Sequence, residues 1–132
     1  MILVLDTSAG AEIVLARGRA AEMGIWVAEA EWVIAPTLYI SEITNVFWKY
    51  HQFSNVPIEQ CETGLDRAIQ LIDDFVHERE MYREAFALAC LVKKPVYDMF
   101  FLVLARRTSG AILTLDEGLQ RLARENAIRI LT

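Results

Sequence analysis

The sequence predicts an α/β protein whose parallel sheet is covered by helices on both faces. Three observations carry this expectation. Three short apolar runs lack the in-out alternation of half-solvated strands and read as strands buried on both faces, and Ile128-Arg129-Ile130-Leu131 is a fourth candidate strand. Between them, apolar residues recur at the three- and four-residue spacings of helices. The prolines Pro36, Pro57 and Pro95 fall at the segment boundaries, and no repeat or Gly/Ser-rich linker divides the chain.

Taken in order, Ile2-Leu3-Val4-Leu5 is the first strand, and a helix begins after Asp6-Thr7-Ser8. Trp32-Val33-Ile34-Ala35 is the second. The helix after it places Glu42, Asn45 and Lys49 on one face and Ile40, Ile43, Phe47 and Tyr50 on another. Beyond Pro57, Ile58, Cys61, Leu65, Ala68, Ile72 and Phe75 form a single apolar stripe, with Asp66, Arg67, Asp73 and Asp74 off it. The next apolar segment, Met81 to Val92, would pair with that stripe as a helical hairpin. It ends at Lys93-Lys94-Pro95, where cations suit a helix C-terminus and proline prevents continuation. A further helix opens at about Asp98, carries Phe101, Leu102 and Ala105 on one face, and stops at Ser109-Gly110. Ala111-Ile112-Leu113-Thr114 is the third strand, Leu119, Leu122 and Ala123 mark the last helix, and Ile128-Arg129-Ile130-Leu131 is the fourth strand.

A length of 132 residues with 55% apolar composition fits one domain over residues 1–132 and excludes a disordered or fibrous chain. The longest stretch without a charge, Trp32 to Ser41, is far shorter than the roughly 18 residues that span a bilayer, so no membrane association is expected. The first basic residue is Arg17, so no secretory signal is expected, and two cysteines, Cys61 and Cys90, do not make a disulfide framework. A reducing cytoplasm is the expected compartment. Thirteen basic against eighteen acidic residues give a net charge of −5, which speaks against binding nucleic acid through an overall positive field. A local site is still open to it.

Three of the six aspartates occupy special places: Asp6 after the first strand, Asp116 after the third, and Asp98 at the opening of an apolar helix. In an open parallel sheet, ligands bind beyond the carboxyl ends of the strands, where Asp6 and Asp116 would emerge together if their strands are neighbours. Glu42 begins a polar stripe along one wall of that crevice. Four carboxylates in a partly buried cleft repel one another unless some take up protons or a cation neutralises them. Oxygen-only ligation suits Mg²⁺ or Mn²⁺, and zinc has little support without a His-x-x-x-His or Cys-x-x-Cys pair. Such an ion lowers the pKa of water and neutralises charge developing on a phosphodiester, so phosphodiester hydrolysis is the chemistry this set suits. Each residue also has a structural role open to it. Asp6 and Asp116 can cap helices, Asp98 can favour a helix start, and Glu42 can be a solvated helix residue.

Four segments together resemble the PIN-domain nucleases, and among them the VapC-type ribonuclease toxins of toxin-antitoxin pairs. They are Val4-Leu5-Asp6-Thr7-Ser8, Ser41-Glu42-Ile43-Thr44-Asn45-Val46-Phe47, Tyr97-Asp98 running into Leu102-Val103-Leu104-Ala105, and Leu113-Thr114-Leu115-Asp116-Glu117. The resemblance implies a three-layer α/β/α sandwich and a metal-dependent endoribonuclease. Its catalytic carboxylates would be Asp6, Glu42, Asp98 and Asp116, with Asp6, Asp98 and Asp116 holding Mg²⁺ or Mn²⁺. Thr7, Ser8, Asn45 and Thr114 would orient them. It implies RNA as substrate, an antitoxin protein as partner, and a homodimer built through helices. The segment from Gly10 to Glu31 and Gly118 depart from the family pattern without touching an acidic position. Setting the four carboxylates aside leaves 14 acidic against 13 basic residues, so the acidic excess is mostly the site.

Rival classes fit less well. A phosphoacceptor signalling domain needs a lysine near a late strand, and none follows Lys94; a two-aspartate phosphatase needs Asp-x-Asp where this chain has Asp6-Thr7-Ser8. The alternative that remains is a catalytically silent PIN-like module that only binds a protein. Eight cations, Arg17, Arg19, Lys93, Lys94, Arg106, Arg107, Arg121 and Arg124, are candidate phosphate contacts that sequence alone does not separate from surface charge.

Overall fold

The computed structural model describes residues 1–132. In chain order the elements are β1 (Ile2–Leu5), α1 (Thr7–Val14), α2 (Ala20–Glu29), β2 (Trp32–Pro36), α3 (Leu38–Ser54), α4 (Ile58–Gln70), β3 (Asp74–Val76), a 3₁₀ turn (Glu78–Glu80), α5 (Tyr82–Val92), α6 (Tyr97–Thr108), β4 (Ala111–Leu113), α7 (Glu117–Glu125) and β5 (Ile130–Leu131). All strand pairs are parallel, in the order β3-β2-β1-β4-β5.

The chain steps from β1 through β2 to β3 at one edge, then crosses back over β1 to reach β4 and β5. Right-handed crossovers therefore put α1 to α4 on one face and α5 to α7 on the other, giving three layers. The packing agrees: α1 meets α2, α3 and α4, α3 meets α4, and α5 meets α6. Because the winding direction reverses between β1 and β4, a crevice opens beyond their carboxyl ends. Leu3 aligns with Ala111, Val4 with Ile112 and Leu5 with Leu113, so the next residues along the two strands are Asp6 and Thr114.

The core is one cluster centred on β1, whose Leu3, Val4 and Leu5 are fully buried. Two close approaches tie the α1–α4 layer together. A methyl group on Gly10 would lie 2.3 Å from the Tyr39 hydroxyl, and one on Gly64 would lie 2.6 Å from the Phe47 ring, so glycine lets α1 and α4 pack directly on α3.

Three expectations need correction. The stripe read as helix from Ile58 to Phe75 stops at Gln70, and Phe75 belongs to β3, a strand absent from the sequence reading. β3 is three residues long at the sheet edge, too short for a period-two pattern, and its Phe75 falls in phase with the preceding helix. The proposed hairpin does not form: α4 packs on α3 and α1, while α5 packs on α6. Finally, α6 has no solvated face through Met99 to Ala105, all seven of which are buried. It lies against β1, β2 and β4 and is covered by α5.

Candidate active site

Asp6 leaves β1 at the switch point and caps α1, its Oδ1 accepting the Ala9 N–H at 3.1 Å. It is 7% exposed and Thr114 is 2% exposed, and these are the two polar residues of the buried interior. Ser8 Oγ donates to Asp6 Oδ1 at 2.7 Å, and Thr114 Oγ1 donates to Asp6 Oδ2. Each hydroxyl also accepts a backbone N–H from the turn after β4, Leu115 on Ser8 and Asp116 on Thr114, both at 3.0 Å. Asp6 is thereby tied to both central strands at once.

Glu42 lies half-buried on α3, where Thr7 Oγ1 donates to its Oε1 at 3.0 Å. Asp98 stands half-buried in the first turn of α6. Asp116 is exposed and caps α7, its Oδ1 accepting the Leu119 N–H at 3.0 Å. The capping roles open to Asp6 and Asp116 are thus both filled, and a capping carboxylate keeps a second oxygen for other use. Asn45 and Lys49 are exposed on α3, apart from this network. Of the four supporting residues named from sequence, Thr7, Ser8 and Thr114 touch a carboxylate.

The electrostatics mark these groups as one cluster. Burial pushes Asp6 up from 3.8 to about 6, against the hydrogen bonds from Ser8, Thr114 and Ala9, with the Asp98 charge adding to the rise. Burial also raises Glu42, helped by the charges of Asp98 and Asp6, and it raises Asp98, helped by Asp116. Tyr39, buried beneath α1, is pushed above its ordinary range by burial and by the Asp6 charge. No Lys or Arg forms an ion pair with any of the four carboxylates.

A divalent cation fits this donor set by its chemistry: the donors are all oxygen, partly desolvated, and none is ion-paired to a cation of the protein. As they stand, no three acidic, His or Cys side chains are gathered tightly enough to cage an ion. Uncompensated like charges favour that separation. Beside Asp98 and Asp116 a cleft of about 650 Å³ opens between the α5–α6 connection and α7, with Lys94, Tyr97, Arg121 and Glu125 in its lining. Sequence reasoning left Lys94 and Arg121 among eight equal candidates. Their signal was proximity: Lys94 is four residues before Asp98, and Arg121 five after Asp116.

His51 and His77 have local roles, one ring bonding the Val56 carbonyl at a helix end and the other accepting the Arg79 N–H. Tyr39 is fully buried and donates to the Ala68 carbonyl at 2.8 Å.

An all-parallel three-layer sandwich with acidic residues at its switch point is the class these observations define. Residues 3–125 match the family model described as PIN domain, and the chain belongs to that family. Among curated proteins it is 29% identical over 121 residues to Ribonuclease VapC3 of Pyrobaculum aerophilum, across 90% of this chain and 92% of that one. Among solved structures it is similar to PAE2754 from Pyrobaculum aerophilum, with a TM-score of 0.70 and 20% identity over 96% of this chain and 99% of that one. The latter likeness concerns the fold. No helix of the chain is long and apolar enough to cross a membrane.

Proposed function

We propose that this chain is a divalent-metal-dependent endoribonuclease and the toxin of a type II toxin-antitoxin pair, acting in the cytoplasm. One observation carries the catalytic reading: a set of acidic side chains at the β1/β4 switch point, three with raised proton affinity, forms no ion pair with any cation of the protein. Membership of the PIN family and the likeness to a protein named as a ribonuclease support the choice of RNA. The toxin assignment, the antitoxin partner and a homodimer rest on the resemblance to VapC-type proteins.

Asp6, Asp98 and Asp116 would hold Mg²⁺ or Mn²⁺, and Glu42 would act on it directly or through a water. When bound, the ion supplies activation of water and neutralisation of charge on the phosphodiester. The protein's own part is positioning. Ser8, Thr114 and the Ala9 N–H occupy one lone pair or more on each Asp6 oxygen and fix the direction of those that remain. Thr7 holds one Glu42 oxygen in the same way. The Leu119 N–H holds Asp116 Oδ1 and leaves its other oxygen free to turn toward the crevice.

The test is RNA cleavage by Asp6→Asn and Asp98→Asn with Mg²⁺ or Mn²⁺ present. Each change should lower kcat by at least ~100-fold, the scale of losing a group that acts on the reacting charge. Full activity in either variant overturns the assignment. Metal binding by calorimetry without cleavage by the wild-type chain would point instead to the silent binding module.

A further inference from the structure

We propose that Lys94 and Arg121 form a two-sided phosphate clamp that holds an RNA chain on either side of the acidic site. This rests on the ribonuclease reading above and adds the residues that position the substrate.

The thirteen basic residues sort themselves by partner and place. Arg17 pairs with Glu12, Arg19 with Glu22, and Arg106 and Arg107 both pair with Glu84. The other nine have no ion pair, and of these Lys94 and Arg121 alone line the cleft that contains Asp98 and Asp116. Both are exposed. Glu125, one turn beyond Arg121 on α7, lines the same cleft without pairing with either.

The two cations approach from separate elements. Lys94 lies in the connection before α6, four residues ahead of Asp98, and Arg121 lies on α7, five residues after Asp116. Each of these two carboxylates thus has a cation within five residues of it in the chain, and all four side chains line one cleft. A mononucleotide needs one such contact. A phosphodiester chain with one phosphate at the acids has neighbouring phosphates to offer to both cations, so a pair of such contacts favours a polymer. Arg121 offers the fork geometry that takes two phosphate oxygens together, and Lys94 offers a mobile point charge.

The experiment uses the full chain carrying Asp6→Asn, which leaves the cleft lining intact, and a fluorescent single-stranded RNA of mixed sequence as probe. Adding Lys94→Ala and Arg121→Ala together should weaken binding at least tenfold. It should also lower the slope of log affinity against log salt by about 1.4, two phosphates at roughly 0.7 each on a single strand. Lys93→Ala with Arg124→Ala removes the same charge from exposed, unpaired residues outside the cleft and should change affinity by less than twofold. Arg121→Lys should recover part of the loss. Equal weakening by both pairs, an unchanged salt slope, or no affinity for RNA up to about 100 µM overturns the clamp. Steady-state cleavage by chains with native Asp6 separates the two readings: an unchanged KM in the Lys94→Ala/Arg121→Ala chain sinks the clamp while leaving the nuclease intact. Wild-type protein that binds RNA through these residues but never cuts it sinks the nuclease and keeps the clamp.

Discussion

Asp6 and Glu42 stand on one wall of the candidate site, Asp98 and Asp116 on the other, and the two pairs are held by different means. Asp6 takes hydrogen bonds from two hydroxyls and one backbone N–H, and Glu42 takes one from Thr7. These partners belong to the first turn of α1 and to the turn after β4, which follow the two central strands. Asp98 and Asp116 sit at the starts of α6 and α7, beside an open cleft, with one backbone bond to Asp116 between them. The first pair is tied by hydrogen bonds around the buried Asp6; the second, half-buried at Asp98 and exposed at Asp116, opens on a cleft shared with unpaired cations. A tied pair can fix an ion in place, whereas a solvated pair beside a cleft can meet an incoming chain without first breaking internal bonds.

The contrast can be pressed hardest through proton linkage. Asp6 has a folded pKa of about 6 against 3.8 for the ordinary group, so both folded and unfolded chains are protonated below 3.8 and burial then carries no charge penalty. Between those values the folded state holds the extra proton, and stability falls as pH rises. Above about 6 the full penalty, on the order of 3 kcal/mol, is present. Melting of metal-free wild type and Asp6→Asn should therefore diverge, with the variant gaining relative stability from pH 4 to pH 7.5. Mg²⁺ should raise the wild-type Tm more at pH 7.5 than at pH 5. An equal Mg²⁺ effect at both values would break the picture of Asp6 as the rigid, charge-strained ligand.

Removing a support rather than a carboxylate should cost less. Thr114→Val keeps the shape but withdraws the hydroxyl from Asp6 and from the Asp116 N–H, and cleavage should fall ~10–100-fold. Asn45→Ala, at an exposed position apart from the network, should stay within about twofold. Equal losses in the two variants would erase the distinction between anchored and solvated parts of the site. The smallest effect on chemistry belongs to Gly64→Ala, whose methyl group would press on Phe47 across the α3–α4 contact. It should lower stability by about 1–3 kcal/mol in a denaturant titration and leave metal-saturated kcat within about twofold, because α4 carries none of the site carboxylates.

Much of this molecule was legible from residue order. β1, β2 and β4 were readable because strands buried on both faces leave unbroken apolar runs, and the starts of α1, α6 and α7 because aspartate marks each one. β3 was not, since Asp74-Phe75-Val76 carries too few residues to show a period. The single-faced reading of α6 failed for a related reason: one face was assigned from Phe101, Leu102 and Ala105, while burial extends over every residue from Met99 to Ala105. Burial by a second helix layer leaves no polar residue to reveal it until that layer is placed.

The sequence by itself determined the alternation of strands and helices, the four acidic positions and the hydroxyl-bearing residues beside Asp6, because each depends on local composition or short spacing. Only the tertiary structure decided which of them meet. Ser8 and Thr114 are separated by 106 positions yet both donate to Asp6, a meeting set by the parallel register of β1 and β4. The sorting of cations was likewise a matter of three dimensions. Arg106 and Arg107 look as available as Lys94 in the sequence, but Glu84 on α5 reaches both, while Lys94 and Arg121 stay unpaired in the cleft. An ion pair between distant helices depends on how they pack, and no local pattern in the chain encodes it.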